Sequence, residues 1–470
     1  MNKVITRFAV SPTGYMHVGG VRSALFDWLM AKSTGGQFIL RIEDTDQKRE
    51  TPGAVDHIIE TLKWLNLDWD GEIITQSQRL DIYKEWAQKL YEQGKAYADP
   101  YSPDEVQAFR EKAQKDKKPF LYRNHRPENP PKWDGTQPLR LKSDPKSYKW
   151  HDQVLGDLST GPEVIDDFVL IKSDGYPTYN FCHIVDDELL GITHVIRGQE
   201  FLASVPNYLN LYEALETKPP TFATVPWIMA PEGNKKLSKR DGAKDVMAYA
   251  KEGYLPEAIL SFLATLGWND GSTQEVFTVD ELIEKFSLDR VQKSGARFDE
   301  RRLLWANGHF IRELPLDELY KKVENYWSEA AKNSDEVYKK QVLGLVQERL
   351  KFFSELPELT EFFFQDLPID LSLITEHKKL KKYDRADLRN LLDISKTTLE
   401  NTDFSSPEAI QESLNQLLEK TGEKPVIVFS LIRIATTWSP ASPGLAETLH
   451  LLGKDRAMTR IDTSLQTLAS

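Results

Sequence analysis

The first 45 residues constrain the fold most, because they alternate strand, loop, helix and strand signals. Val4 to Val10 is a short, nearly continuous apolar run of the kind that a buried parallel strand shows. A loop with Pro and Gly follows, then apolar residues at helical spacing from Val21 to Leu29, ended by Gly35 and Gly36. A second strand-like run covers Phe38 to Ile42. This order predicts a right-handed crossover in a doubly wound α/β domain.

The remainder of the chain predicts several domains. From about Lys95 to Lys149, prolines punctuate a charged stretch, which is typical of an insertion with its own small fold. Strand-like runs resume at 168–171 and 192–197, whereas the pattern after about Lys244 is helical. A chain of 470 residues is also too long for one ordinary core. We therefore expect a Rossmann-type α/β domain with an α+β insertion, followed by all-α C-terminal domains.

Composition excludes some classes of protein. The single cysteine, Cys182, allows neither a disulfide framework nor a Cys-rich zinc site, and the nine histidines are scattered. No apolar run approaches the roughly 18 residues that span a bilayer, so no membrane association is expected. Arg7 lies inside the first apolar run, whereas a signal peptide carries its charge before that run. The expectation is a cytoplasmic protein without a dedicated metal site.

The net charge of −12 argues only weakly against a nucleic-acid partner, because a large RNA is bound by local basic faces. Candidate basic patches are Arg110 to Lys118, Lys339 with Lys340, and Lys378 to Lys382. Each patch, taken alone, favours a solvated helix face over RNA contact.

Two short motifs are suited to a nucleotide. His17-Val18-Gly19-Gly20 stands where the loop becomes the helix, and a helix N-terminus presents unpaired N–H groups to phosphate. Lys235 to Arg240 (KKLSKR) forms a basic loop, and lysines there can neutralise charge on a transferring phosphoryl group. Alone, Gly-Gly before a helix is often a simple turn, and a basic loop is often only solvated. Together, on an α/β frame, the motifs support one another.

The residues around these motifs resemble glutamyl-tRNA synthetases of the bacterial type, which are class I aminoacyl-tRNA synthetases. Residues 7–20 (RFAVSPTGYMHVGG) are similar to the family's HIGH signature, and residues 236–240 (KLSKR) to its KMSKS signature. Further similar segments are 41–46 (RIEDTD), 174–181 (DGYPTYNF), 191–198 (GITHVIRG), 442–445 (SPGL) and 451–454 (LLGK). The resemblance spans essentially the whole chain in the family's order.

This resemblance implies a domain plan and a reaction. The implied domains are the first Rossmann half at 1–95, a connective, acceptor-stem-binding insertion at 96–185, the second half with the KMSKS-like loop at 186–243, a helical stem-contact region at 244–312, and an anticodon-binding domain at 313–470. The implied reaction is ATP-dependent ligation of L-glutamate to tRNA(Glu), through glutamyl-adenylate and transfer to the terminal adenosine. Neither step needs a protein nucleophile, so positioning and charge neutralisation carry the chemistry.

The resemblance also assigns roles to individual residues. His17, Ser238 and Lys239 are expected to be catalytic. ATP binding is assigned to His17, Gly19, Gly20, Glu200, Phe201, Lys236, Leu237, Ser238 and Lys239, with Mg²⁺ held by phosphate oxygens. Glutamate binding is assigned to Arg7, Ala9, Ser11, Glu43, Tyr179, His183 and Arg197. From the residues alone, Arg197 could instead form a strand-end ion pair, and Tyr179 could be ordinary core.

The chain departs from the family pattern at three places. His183 stands where some relatives have Asn, so it either donates to a carboxylate or packs against Cys182. The segment after Gly94-Lys95-Ala96-Tyr97 lacks the cysteines of a zinc knuckle that many bacterial relatives carry, which predicts a protein without zinc. Gly20 replaces the last histidine of the HIGH signature, as is common in this family.

The helical C-terminal half resembles the bacterial-type anticodon domain. Arg349 falls near an arginine that the family uses to inspect the last anticodon base, although a helix-surface arginine is the alternative. A non-discriminating enzyme would also glutamylate tRNA(Gln). Glutaminyl-tRNA synthetases usually carry Pro-Glu-Pro-Asn at positions 10–13, where this chain has Val-Ser-Pro-Thr. The distant alternative is an inactive RNA-binding paralogue, and the family suggests a monomer.

Overall fold

The computed structural model describes residues 3–238, 244–439 and 441–469. The chain folds into two compact units. Unit 1 comprises Met1–Ala250 and Pro256–Leu303, and unit 2 comprises Lys251–Leu255 and Leu304–Ser470. No helix in the described part of the chain has the length and apolar character needed to cross a bilayer.

Unit 1 begins with the predicted strand, helix and strand: β1 (Ile5–Val10), α1 (Val18–Ser33) and β2 (Gln37–Ile42). β1 and β2 pair in parallel along their whole lengths, so the expected crossover is confirmed. Gly36 closes the connection, because a Cβ there would lie 2.3 Å from the carbonyl oxygen of Val4.

The remaining elements follow in chain order. The strands are β3 (Ile74–Thr75), β4 (Ala96–Ala98), β5 (Leu139–Leu141), β6 (Tyr148–Asp152), β7 (Gly156–Thr160), β8 (Val169–Ile171), β9 (His194–Gly198) and β10 (Thr221–Val225). The helices before residue 300 are α2 (Ala54–Trp64), α3 (Leu80–Glu92), α4 (Pro103–Lys115), α5 (Tyr179–Leu189), α6 (Val205–Ala214), α7 (Val246–Glu252), α8 (Pro256–Thr265) and α9 (Val279–Lys285). The later helices are α10 (Glu300–Glu313), α11 (Leu316–Lys322), α12 (Glu336–Val346), α13 (Leu356–Phe364), α14 (Ser372–Thr375), α15 (Arg385–Glu400), α16 (Pro407–Thr421), α17 (Pro425–Thr437), α18 (Leu445–Leu452) and α19 (Lys454–Ala469).

The two halves of the Rossmann-type domain meet where β1 lies beside β9. The backbone N–H of Thr193, just before β9, donates to the carbonyl oxygen of Ile5 at 3.0 Å. On one side of this line the strand order is β1, β2, β3, and on the other side it is β9, β10, β6, β7. In such sheets, ligands bind beyond the carboxyl ends of the strands where the strand order reverses. The residues that end β1 and β9 therefore stand at the expected binding edge.

The insertion contributes a second, antiparallel sheet of β4, β5 and β8. Its hairpin of β6 and β7 does not join that sheet, because Asp152 at the end of β6 pairs with Phe222 of β10. Asp152 also accepts from the backbone N–H of Thr224 at 3.0 Å, which ties the hairpin to the half of the domain that contains β9 and β10. The domain boundaries remain predictions, and the one at residue 185 falls inside α5.

Unit 2 is helical over its described residues from α11 onward, as the sequence predicts. One core is formed by apolar faces of α14 to α19, including Leu392, Leu414, Leu431 and Ile461. The apolar run at 426–432 lies within α17, where Val428, Leu431 and Ile432 are buried.

Candidate active site

A cavity of about 560 Å³ opens at the carboxyl ends of β1 and β9. Arg7 and Ala9 are two positions apart on β1 and so face the same side of the sheet. Arg197 lies on β9. Of the residues assigned to glutamate, the following line this cavity: Arg7, Ala9, Ser11, Glu43, Tyr179 and Arg197. The fold therefore brings together six side chains that are separated by up to 190 positions in the sequence.

Arg7 is held from below by a buried carboxylate. Its Nε donates to Oδ1 of Asp187 at 3.1 Å, and Arg41 Nη1 donates to the same oxygen at 2.6 Å. Burial alone would raise the pKa of Asp187, but Arg7 and Arg41 hold it well below its ordinary value. Arg7 Nη2 has no hydrogen-bond partner among the described residues, although it is buried. The arginine is thus fixed on one edge and has an unused donor.

Arg197 is fixed by aromatic rings. Its guanidinium lies 4.3 Å from the ring centre of Phe201, and its Nη2 donates to the hydroxyl of Tyr179. Nε and Nη1 are buried and unpartnered within the described part of the chain. An unmade charged hydrogen bond in a buried place is costly, so this arrangement is suited to a ligand that brings carboxylate oxygens.

The cavity also contains acidic groups. Glu43 accepts from Arg41 at 2.9 Å and keeps an acid within reach of a ligand ammonium. Asp27, on α1, lines the same cavity and is almost fully buried. Burial raises the pKa of Asp27 well above its ordinary value, against the opposing pull of Arg7 and Arg197. Sequence reasoning missed Asp27, because it lies within the apolar stretch of α1 and outside the segments that resemble the family.

His183 does not line the cavity. It lies beneath Tyr179, with the two ring centres 5.0 Å apart, and meets the edge of Tyr208 at 4.7 Å. Its Nδ1 is 3.8 Å from Oδ2 of Asp187. Burial lowers the pKa of His183 to about 3, so the ring is neutral at physiological pH. The imidazole thus packs against Tyr179 and Tyr208, and its role in glutamate binding stays a prediction.

A second cavity of about 190 Å³ lies at the N-terminus of α1. It is lined by six of the residues assigned to ATP, namely His17, Gly19, Gly20, Glu200, Lys236 and Leu237. His17 caps α1, since its Nδ1 accepts from the backbone N–H of Gly19 at 3.1 Å. Lys236 and the indole of Trp227 donate to Glu200 at 2.7 and 3.0 Å. The two signature segments therefore border one pocket.

The two cavities share Gly20, Ser23, Gly198 and Glu200. Adjacent pockets of this kind can hold an acid and a nucleotide in contact with one another. Phe201 lines the first cavity, although the sequence assigned it to ATP. Ser238 lines neither of these cavities, and Lys239 lies outside the described residues.

The anticodon candidate, Arg349, lies in unit 2 near a second arginine. Burial and the charge of Arg349 together lower the pKa of Arg433. Nε of Arg433 donates to the hydroxyl of Ser442 at 2.9 Å, which orients the side chain. Sequence reasoning missed Arg433 because it lies in the apolar helix α17. Arg433 contacts Ser442, which belongs to the family-like segment 442–445, and this contact is visible only in the folded chain.

Comparison with known proteins agrees with this geometry. Residues 3–305 match the family described as tRNA synthetases class I (E and Q), catalytic domain, and residues 318–465 match the anticodon binding domain. Glutamate–tRNA ligase 1 of Caldanaerobacter subterraneus subsp. tengcongensis is 38% identical, over 99% of this chain and 98% of that protein. Glutamate–tRNA ligase of Francisella tularensis subsp. novicida is 38% identical, over 99% of both. A crystal structure of a glutamate tRNA ligase from Elizabethkingia meningosepticum in complex with its amino acid is 32% identical, with a TM-score of 0.86 over 99% of this chain and all of the other.

Proposed function

The chain belongs to the class I tRNA synthetases for glutamate and glutamine, and from that premise we propose that it joins L-glutamate to tRNA(Glu) with ATP. The observation that carries the proposal is the cavity in which Arg7 and Arg197 keep buried donors that have no partner among the described residues. Glutamate has two carboxylates, and guanidinium groups match carboxylates in geometry and charge. Curated relatives that are 38% and 39% identical over 99% and 100% of this chain carry the name glutamate–tRNA ligase.

In the proposed amino-acid site, Arg7 and Arg197 bind carboxylate oxygens and Glu43 receives the ammonium. Tyr179 holds Arg197 in place through its hydroxyl. Ala9 and Ser11 border the ligand from β1 and the loop after it. His183 acts indirectly in this scheme, because it supports the ring of Tyr179 from below.

In the proposed nucleotide site, the N-terminus of α1 with His17, Gly19 and Gly20 receives ATP as its magnesium complex. Phosphate suits this place because the first turn of a helix offers unpaired N–H groups. Mg²⁺ prefers phosphate and water oxygens to a dedicated protein cage. Across the described ranges, no group of three or more His, Cys, Asp or Glu side chains could hold a metal ion. Ser238 and Lys239 are proposed to act on the phosphates from the second signature.

The proposed reaction takes place across the wall that the two cavities share. A glutamate carboxylate attacks the α-phosphorus of ATP, pyrophosphate leaves, and a hydroxyl of the tRNA's terminal adenosine then takes the acyl group from the adenylate. Holding the two reactants side by side removes much of the entropic barrier. Donors directed at the transferring phosphoryl group stabilise its developing charge.

The proposal also covers partners. The part of the chain that matches the anticodon binding domain would contact tRNA(Glu), with Arg349 and its neighbour Arg433 near the last anticodon base. The protein is proposed to act as a monomer in the cytoplasm and to need no zinc.

Charging of separate tRNA(Glu) and tRNA(Gln) transcripts with labelled glutamate, ATP and magnesium tests this function. We expect tRNA(Glu) to be charged. Charging of tRNA(Gln) as well would identify a non-discriminating enzyme. Charging of neither, beside an active control enzyme, would refute the proposal.

A further inference from the structure

His57 on α2 connects two segments that are far apart in the sequence. It is mostly buried, with 11% of its side chain exposed. Its Nε2 lies 2.8 Å from Oδ1 of Asp245, which stands 188 residues further along the chain. The ring of Tyr15 stacks on the imidazole, with centres 4.5 Å apart and planes 14° from parallel. Both neighbours belong to segments that flank the nucleotide signatures.

The contacts of His57 determine which ring nitrogen carries the proton. Nδ1 accepts from the backbone N–H of Met16 at 3.3 Å, so this nitrogen carries the lone pair. The proton is therefore on Nε2, which donates it to the carboxylate of Asp245. A histidine in this tautomer binds a donor on one side and an acceptor on the other. The backbone that it contacts is that of Met16, the residue immediately before His17.

Asp245 is in turn fixed to the same segment. Its Oδ1 accepts from the backbone N–H of Met247 at 3.0 Å, at the start of α7. The backbone at Asp245 forms a β-bridge with His17, and the N–H of Val246 donates to the carbonyl oxygen of Met16 at 3.1 Å. The segment before α1 and the segment before α7 are thus joined twice, through their backbones and through His57.

We propose that His57 and Asp245 form a positioning pair for ATP, which fixes His17 to the segment before α7. The inference rests on the proposed function and deepens it. Neither residue lines the amino-acid cavity or the nucleotide cavity, so the pair acts through the backbone of Met16 and His17 and not on substrate. The residues assigned to glutamate lie on β1, in the loops after β1 and β2, on α5 and on β9, and not at the N-terminus of α1. Loss of the pair should therefore affect ATP and spare glutamate.

The test is steady-state aminoacylation of tRNA(Glu) by the full chain, with ATP and glutamate varied in turn. We expect His57→Ala and Asp245→Ala each to lower kcat/KM for ATP about tenfold, the effect of one charged hydrogen bond. KM for glutamate should stay within twofold. The double variant should be no worse than the poorer single variant, because both substitutions break one unit.

Conservative variants separate positioning from folding. Asp245→Asn keeps an oxygen that can accept from His57 and from Met247, so this variant should retain most of the parent kcat/KM for ATP. Lys89→Ala, which removes an exposed ion pair with Glu85 on α3, is the control and should match the parent protein.

Three outcomes would overturn the inference. They are equal losses for ATP and glutamate, fully additive losses in the double variant, and unchanged kinetics in His57→Ala. The parent protein is assayed first, so failure to charge tRNA at all rejects the proposed function and not the positioning pair.

Discussion

Arg197 provides the sharpest test of the amino-acid site. Its Nε and Nη1 are buried and unpartnered within the described part of the chain, and glutamate is proposed to occupy both. Arg197→Ala removes these donors, whereas Arg197→Lys keeps a positive charge but loses the planar fork. We expect both substitutions to weaken glutamate binding, and alanine to do so more.

The size of the effect follows from the contacts. A hydrogen bond to a charged group contributes about 1.5–3 kcal/mol, and two bonds from one guanidinium do not add fully. A loss of about 3 kcal/mol corresponds to roughly a hundredfold rise in KM for glutamate. The lysine variant should lose about one such bond, or roughly tenfold. The packing of Arg197 on Phe201 is lost from the free and the bound enzyme alike, so it does not enter this figure.

The assay is aminoacylation of tRNA(Glu) at saturating ATP with glutamate varied. It is then repeated at saturating glutamate with ATP varied. KM for ATP should change less than threefold in both variants, and Lys89→Ala again serves as the control for handling and folding. A glutamate KM within threefold of the parent value in Arg197→Ala would refute the assignment. A parallel rise in both KM values would indicate a damaged fold instead.

Four further predictions concern other parts of the chain. Gly20→Ala should fold normally, because among the described residues its Cβ would meet only Met16 Cε, at 3.7 Å. The added methyl group enters space shared by both cavities and should raise KM for ATP in the same assay. Asp27→Asn should raise the thermal unfolding midpoint at pH 8 but not at pH 4. Above about pH 4 Asp27 loses its proton in the unfolded chain but keeps it in the folded protein, where its pKa is raised. The folded protein with aspartate therefore loses stability as the pH rises, whereas the asparagine variant does not. Equal midpoint shifts at both pH values would contradict this. Arg349→Gln should change the ratio of tRNA(Glu) to tRNA(Gln) charging, and an unchanged ratio would remove its anticodon role. Elemental analysis of the purified protein should find no stoichiometric zinc.

The sequence predicted the elements whose signals are local. The strand, helix and strand at the N-terminus and the helical pattern after about Lys244 follow from apolar spacing and from glycine and proline positions, and the structure confirms them. The attachment of the hairpin β6–β7 to β10 was not predicted, because it depends on a pairing between Asp152 and Phe222 that leaves no local pattern.

The site shows the same contrast between features that have a local sequence signal and contacts that do not. Motif resemblance named many of the residues that line the two cavities, since most of these lie within or beside continuous signature segments, but it missed Asp27. It could not show that Asp187 fixes Arg7, that His183 lies beneath Tyr179, or that His57 reaches Asp245. Such contacts join residues from different elements, and they become visible only when the chain is folded.

The most direct test of the central claim is amino-acid selectivity during charging of tRNA(Glu). Labelled glutamate, glutamine and aspartate would be compared at equal concentration with ATP, magnesium and saturating tRNA. The proposed function predicts efficient charging with glutamate and little with the other two, and the donors of Arg7 and Arg197 favour the side-chain carboxylate that glutamine lacks. Preferential charging with glutamine or aspartate, or no charging with any of them, would contradict the account.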